Sequence, residues 1–146
     1  SGRCTCSENA VEHYRSRISG PLLDRIDMII QVPAVHYEDL KSRKVAESSA
    51  DIRKRVNAAR KIQHNRYGES SGLCNARMGP TELRYHCVLD DEGNRIMKGA
   101  FEVFGLTARS YDRILKVART IADLAGSENI QAEHIAEAIR YRTVNL

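Results

Sequence analysis

Apolar residues recur at helical spacing through the second half of the chain. Tyr111, Ile114, Leu115, Ala118, Ile121, Ala122 and Ala125 follow an i, i+3, i+4, i+7 pattern. Thr107 is placed to cap the start of this helix and Gly126 to end it. A last helix is expected over about 131–142, with Ile135, Ala138 and Ile139 facing inward. Upstream, "SSADIRKRVNAARKIQHNRYG" predicts a long helix. Ser48 or Ser49 can cap it, Asp51 suits its positive first turn, and Gly68 stops it. Ile52, Val56, Ala59 and Gln63 mark one face, while Arg53, Lys54, Lys61 and Arg66 point elsewhere. Residues 69–79 read as a loop. Pro80, at a favoured N1 position, opens a short helix through Cys87, and "DDEGNRIMKGAFEVFG" predicts another helix.

The pattern changes before residue 48. Residues 8–18 predict a short helix starting near Ser7, broken by Gly20-Pro21. "IDMIIQV", residues 26–32, is rich in β-branched residues and predicts a strand that Pro33 stops. Residues 34–48 read as a polar connector, with a helical turn at 37–44. The expected fold class is mainly α: a helical bundle over 49–146, preceded by a different unit, a helix and a strand, over 1–33.

Composition agrees with a globular chain, at 42% hydrophobic and 29% charged residues. No apolar run approaches the ~18 residues of a membrane span. The polar start "SGRCTCSENA" is unlike a secretory leader, and a chain that opens without Met is expected to be a piece of something longer. Cys4, Cys6, Cys74 and Cys87 then read as reduced thiols of a cytoplasmic protein. The net charge of +4 is modest, but its distribution is not even. Nine Lys and Arg stand against two acids between Lys41 and Arg66. Such a face either meets phosphates or an acidic partner, or is the solvated side of an ordinary helix.

Several activities lack their residues. There is no G-x-x-x-x-G-K-[ST] to cradle phosphates and no apolar strand ending in Asp-Glu. His13, His36, His64, His86 and His134 are scattered and stand at no defensible spacing from a nucleophile. The chain is not expected to carry a self-contained active site.

Residues 20–33, "GPLLDRIDMIIQVP", set Arg25 between Asp24 and Asp27 just before the expected strand. On residue chemistry alone, Arg25 either pairs with one of these acids or is held out for an anion. Arg109, in "LTARSYDR", stands in a first helical turn, where the helix dipole disfavours a cation unless an anion arrives; on residue chemistry alone it is either held for such an anion or a solvated arginine. "YRSRISGPLLDRIDMIIQVP" and "LTARSYDRILKVARTIADLAGSENIQAEHIAEAIRYR", with residues 48–68 between them, resemble the magnesium-chelatase-like AAA+ ATPases of the bacterial competence-protein type. The resemblance implies the C-terminal part of a larger ATPase: the tail of its core (1–33), a connector (34–48) and a helical lid (49–146). It puts Arg25 at the place of the arginine finger, which reaches a neighbouring subunit's nucleotide, and Arg109 at the place of the sensor-2 arginine. Guanidinium suits both roles, since it stays protonated and forks onto phosphate oxygens.

The resemblance further implies ATP and Mg²⁺ in the parent protein and a ring of subunits, expected to be a hexamer. The expected work is remodelling of DNA, as in branch migration. Alternatives are a magnesium-chelatase motor that inserts metal into a porphyrin, or a stand-alone helical module binding nucleic acid or protein through Arg53, Lys54, Lys61 and Arg66. Cys4 and Cys6, one residue apart, could share Zn²⁺ as half of a four-ligand site, with His13 a conceivable third ligand. Two free thiols in a frayed terminus is the competing reading.

Overall fold

The computed structural model describes residues 5–35, 37, 41, 46–68 and 71–142. Among the described residues seven α-helices form and no strand does. They are α1 (Glu8–Arg15), α2 (Gly20–Leu23), α3 (Ser49–Tyr67), α4 (Pro80–His86), α5 (Asp91–Phe104), α6 (Ala108–Leu124) and α7 (Ala132–Arg140), with a 3₁₀ turn at Asn75–Arg77. The chain is mainly α, as the periodicity requires.

Short polar side chains start the helices by accepting hydrogen bonds from otherwise unpaired N–H groups. Ser48 accepts from the Asp51 amide at 3.2 Å, Asp90 from Gly93 at 2.7 Å, and Thr107 from Ser110 at 3.2 Å. Gly105 ends α5 in a left-handed conformation, φ +58°, which costs glycine nothing.

The core sits between α6 and α7, with α3 and α4 packed on α6 and α5 on α7. Ile114, Ala118 and Ala122 of α6 meet Ile135 and Ala138 of α7, all fully buried. Small alanines at this seam let the two helices approach, and each large side chain buried there contributes about 1.5–3 kcal/mol. Met78, Leu83, Cys87 and Met97 close the remaining sides. Leu89 and Ile130 form an isolated parallel bridge that ties the α4–α5 link to the α6–α7 link.

Four expectations need correction. The strand over 26–32 does not form: a strand needs a neighbour to take its backbone groups, and the Ile29 amide instead bonds the Tyr141 carbonyl at 2.8 Å. Ile26, Met28, Ile30 and Val32 are consequently exposed. Gly20-Pro21 does not simply break the chain, because Pro21 lies in the first turn of α2, where its missing N–H is harmless. The first helix is shorter than expected, ending at Arg15. On α3, Ala59 and Gln63 are buried as expected, but Ile52 and Val56 are not, since the helix meets α6 only along its second half. The turn expected at 37–44 lies mostly outside the described residues.

Candidate functional site

The segment that carries Arg25 is a tight turn leaving α2. The amides of Asp24, Arg25 and Ile26 bond back to the carbonyls of Gly20, Leu22 and Leu23 at 2.9, 2.9 and 3.1 Å. Arg25 projects from this turn, exposed and without a side-chain partner among the described residues. Its two acidic neighbours do not hold it. Asp24 takes an ion pair from Arg142 at 3.5 Å and a hydrogen bond from the Ser110 hydroxyl at 3.3 Å. Asp27 pairs with Arg113 of α6. Pairing within the D-R-x-D run, one of the two readings open from the sequence, is therefore replaced by pairing with the helical bundle.

Arg142 is the centre of this contact. Its side chain is only 5% exposed. It donates to the carbonyl oxygens of Leu23, at 3.2 Å, and of Ile26, and to the Ser110 hydroxyl at 2.9 Å. Burial pushes its pKa below the ordinary arginine value; Asp24 opposes that shift and Arg113 adds to it. The buried Nε atoms of Arg113 and Arg142 have no hydrogen-bond partner among the described residues.

Arg109 lies in the first turn of α6, exposed and without a side-chain partner among the described residues. Its chain neighbour Ser110 makes the hydrogen bond to Asp24, the chain neighbour of Arg25. The two arginines singled out from sequence thus each stand one residue from a single contact, that of Ser110 with Asp24. Of the four guanidinium groups around this contact, Arg113 and Arg142 take the two carboxylates, and Arg25 and Arg109 leave a positive surplus. Ser110, Arg113 and Arg142 were not expected as site residues. Arg113 and Ser110 had a legible cue, standing four and one residues after Arg109 beside the apolar stripe; Arg142 had none.

The other candidates separate. Arg53, Lys54 and Lys61 are exposed along α3. Arg66 leaves that set: it turns inward onto the fully buried carboxylate of Asp123. Asp123 also accepts from Arg119 at 3.1 Å and from Asn75 at 2.8 Å. Arg119 reaches on to the carbonyls of Glu128 and Ser127 at 2.8 and 2.7 Å, holding the α6–α7 link. Cys6 is exposed and free, Cys4 lies outside the described residues, and His13 is exposed. Among the described residues no cluster of three or more His, Cys, Asp or Glu could hold a metal, and no helix is long and apolar enough to cross a membrane.

Comparison with known proteins agrees with this architecture. The family described as "Magnesium chelatase, subunit ChlI C-terminal" matches residues 46–142, and "Magnesium chelatase, subunit ChlI" matches residues 1–40. The chain belongs to the magnesium chelatase ChlI family, and its helical bundle is that family's C-terminal region. It is similar to the competence protein ComM of Haemophilus influenzae, at 39% identity over 94% of this chain and 26% of the relative. It is also similar to the protein YifB of Escherichia coli, at 37% identity over 96% of this chain and 27% of the relative. Rv2897c of Mycobacterium tuberculosis is 29% identical over 95% of this chain and 27% of that protein. The chain therefore spans about a quarter of the length of these relatives.

Proposed function

We propose that this chain is the lid and finger-bearing part of an AAA+ ATPase that works on DNA. Arg25 acts as the arginine finger on a neighbouring subunit's nucleotide, and Arg109 as the sensor-2 arginine. The observation that carries the reading is the state of Arg25: exposed, flanked by two acids, and paired with neither. A guanidinium kept clear of adjacent carboxylates is available to an anion that arrives from outside. Arg109, unpaired at a helix N-terminus beside the same contact, suits the same ligand chemistry.

The residues present fit the phosphates of ATP but not its metal. The positive surplus left by the exposed Arg25 and Arg109 favours an anion. Asp24 and Asp27, which flank Arg25 in the sequence, are already ion-paired and so are poor candidates to hold Mg²⁺. Bound ATP supplies the phosphoryl group whose developing charge a finger stabilises, an effect of about 10³–10⁵ in rate in related chemistry. Arg25 supplies that charge across an interface, which calls for a ring of like subunits, such as a hexamer. Work on DNA is favoured over metal insertion because a competence protein is among the similar relatives, and because α3 presents the exposed cations Arg53, Lys54 and Lys61.

The test is ATP turnover by the full-length protein carrying Arg25→Ala or Arg109→Ala. Loss of kcat in both is expected. Mixing Arg25→Ala subunits with subunits disabled in their own phosphate-binding loop should restore turnover, because each then lacks a different half of the shared site. Wild-type kcat in Arg25→Ala, or no recovery in any mixture, would overturn the assignment.

A further inference from the structure

Arg142 grips both ends of the turn that presents Arg25. It donates to the carbonyl of Leu23, two residues before Arg25, and to that of Ile26, one residue after it. The same guanidinium meets Asp24 and the Ser110 hydroxyl, itself 2% exposed. Arg113 completes the grip from α6 by pairing with Asp27. We propose that Arg142, with Arg113 in support, is a positioning residue that sets the direction of Arg25 and couples it to the helical bundle. The inference rests on the finger role proposed for Arg25.

The physical case has three parts. A planar guanidinium with several donors can bond two carbonyls and a carboxylate at once, which fixes the backbone of residues 23–26 more firmly than any single contact. Engaging Asp24 and Asp27 elsewhere removes the two anions that would compete with phosphate for Arg25. Finally, Arg142 follows α7 and Arg113 lies on α6, the two helices that share the core. A rotation of the packed bundle therefore carries the turn with it, so the finger's reach depends on the bundle's position.

The proposal is tested in the full-length protein with ATP and Mg²⁺, reading kcat, KM and the affinity for a fluorescent ATP analogue. Misplacing a reacting group by about 1 Å can cost about 10²-fold in rate. Arg142→Ala is therefore expected to lower kcat about 10²-fold, with KM and analogue affinity unchanged within about twofold. Added to Arg25→Ala, it should lower kcat no further, since the positioned group is already gone. Arg142→Ala subunits mixed with subunits disabled in their phosphate-binding loop should regain turnover, because the latter still present a held finger. Arg113→Ala is expected to lower kcat by roughly tenfold, with Arg113→Lys recovering part of the loss; it serves as the measurement should Arg142→Ala not fold. Unchanged kcat in these variants, additive loss on top of Arg25→Ala, or mixtures that stay inactive would overturn the proposal. If Arg25→Ala itself turns over normally, the finger reading fails and positioning with it. If Arg25→Ala is inactive but the Arg142 and Arg113 variants are not, positioning alone fails.

Discussion

Arg66 holds Asp123 through two hydrogen bonds, of 2.8 and 2.5 Å, across 57 residues of chain. The Asp123 carboxylate is fully buried and faces a second guanidinium, that of Arg119, on its own helix. One carboxylate thus balances two arginines at the junction of α3, α6 and the 3₁₀ turn, where Asn75 fills the remaining hydrogen bonds. The Asp123 side chain favours the charged Arg66, and its hydrogen bond is the main reason that Arg66 titrates above the ordinary arginine value.

Removing the carboxylate should be costly. Asp123→Ala leaves two buried guanidinium groups facing each other, and breaking a buried ion pair from one side typically costs about 3–5 kcal/mol. A clear fall in Tm, measured by circular dichroism, is expected. Asp123→Asn should also lower Tm, because the amide keeps the shape but not the charge. A wild-type Tm for Asp123→Ala would contradict the arrangement.

Most of the bundle was legible in the sequence because helices declare themselves locally. Ser48, Pro80, Thr107 and Gly126 punctuate the chain where the helices begin and end. The stripe from Ile114 to Ala122 is the core. What failed was whatever depends on distant partners. Residues 26–32 carry the composition of a buried strand, yet a strand exists only beside another. Arg66 was read as one of a basic run, although it stands three residues after Gln63 and seven after Ala59, on the buried face; that spacing was a usable cue. The ion pairs of Asp24 and Asp27 join residues 118 and 86 positions apart, and nothing local announces them.

His86 should make stability depend on pH. Burial first, then the charges of Arg66 and Arg119, hold its pKa below the ordinary histidine value of 6.5. The unfolded chain therefore binds a proton that the folded chain resists. The contribution of neutral His86 is intact above 6.5, weakens as pH falls through 6.5, and is fully lost below the folded pKa. His86→Phe keeps a ring against Tyr67 and removes the titration. Its Tm should fall less than the wild type's between pH 7 and pH 5.

The thiols should react in order of burial. Cys6 is exposed, Cys74 half-buried, and Cys87 is buried with its pKa pushed up to about 11, chiefly by desolvation. Thiolate is the reactive form, and at pH 8 a pKa near 11 leaves about one part in a thousand ionised. Pulsed alkylation followed by mass spectrometry should label Cys6 first and Cys87 last. Labelling of Cys87 should rise with urea along the unfolding curve. Rapid native labelling of Cys87 would place it outside the core.

The cations of α3 should divide by function rather than by charge. Arg53, Lys54 and Lys61 are exposed, so replacing all three with Ala should leave Tm nearly unchanged. If they meet DNA phosphates, each contact contributes about 0.9 to the negative slope of log K against log salt. The triple variant of the full-length protein should then bind duplex DNA more weakly and with a slope shallower by up to about three. Arg66→Ala should do the reverse, lowering Tm through the loss of the Asp123 pair while leaving the salt slope of the folded protein intact. A triple variant with wild-type affinity and slope would remove α3 from the DNA-binding surface, and a slope change in Arg66→Ala would mean that the helix reads phosphate through its inner face.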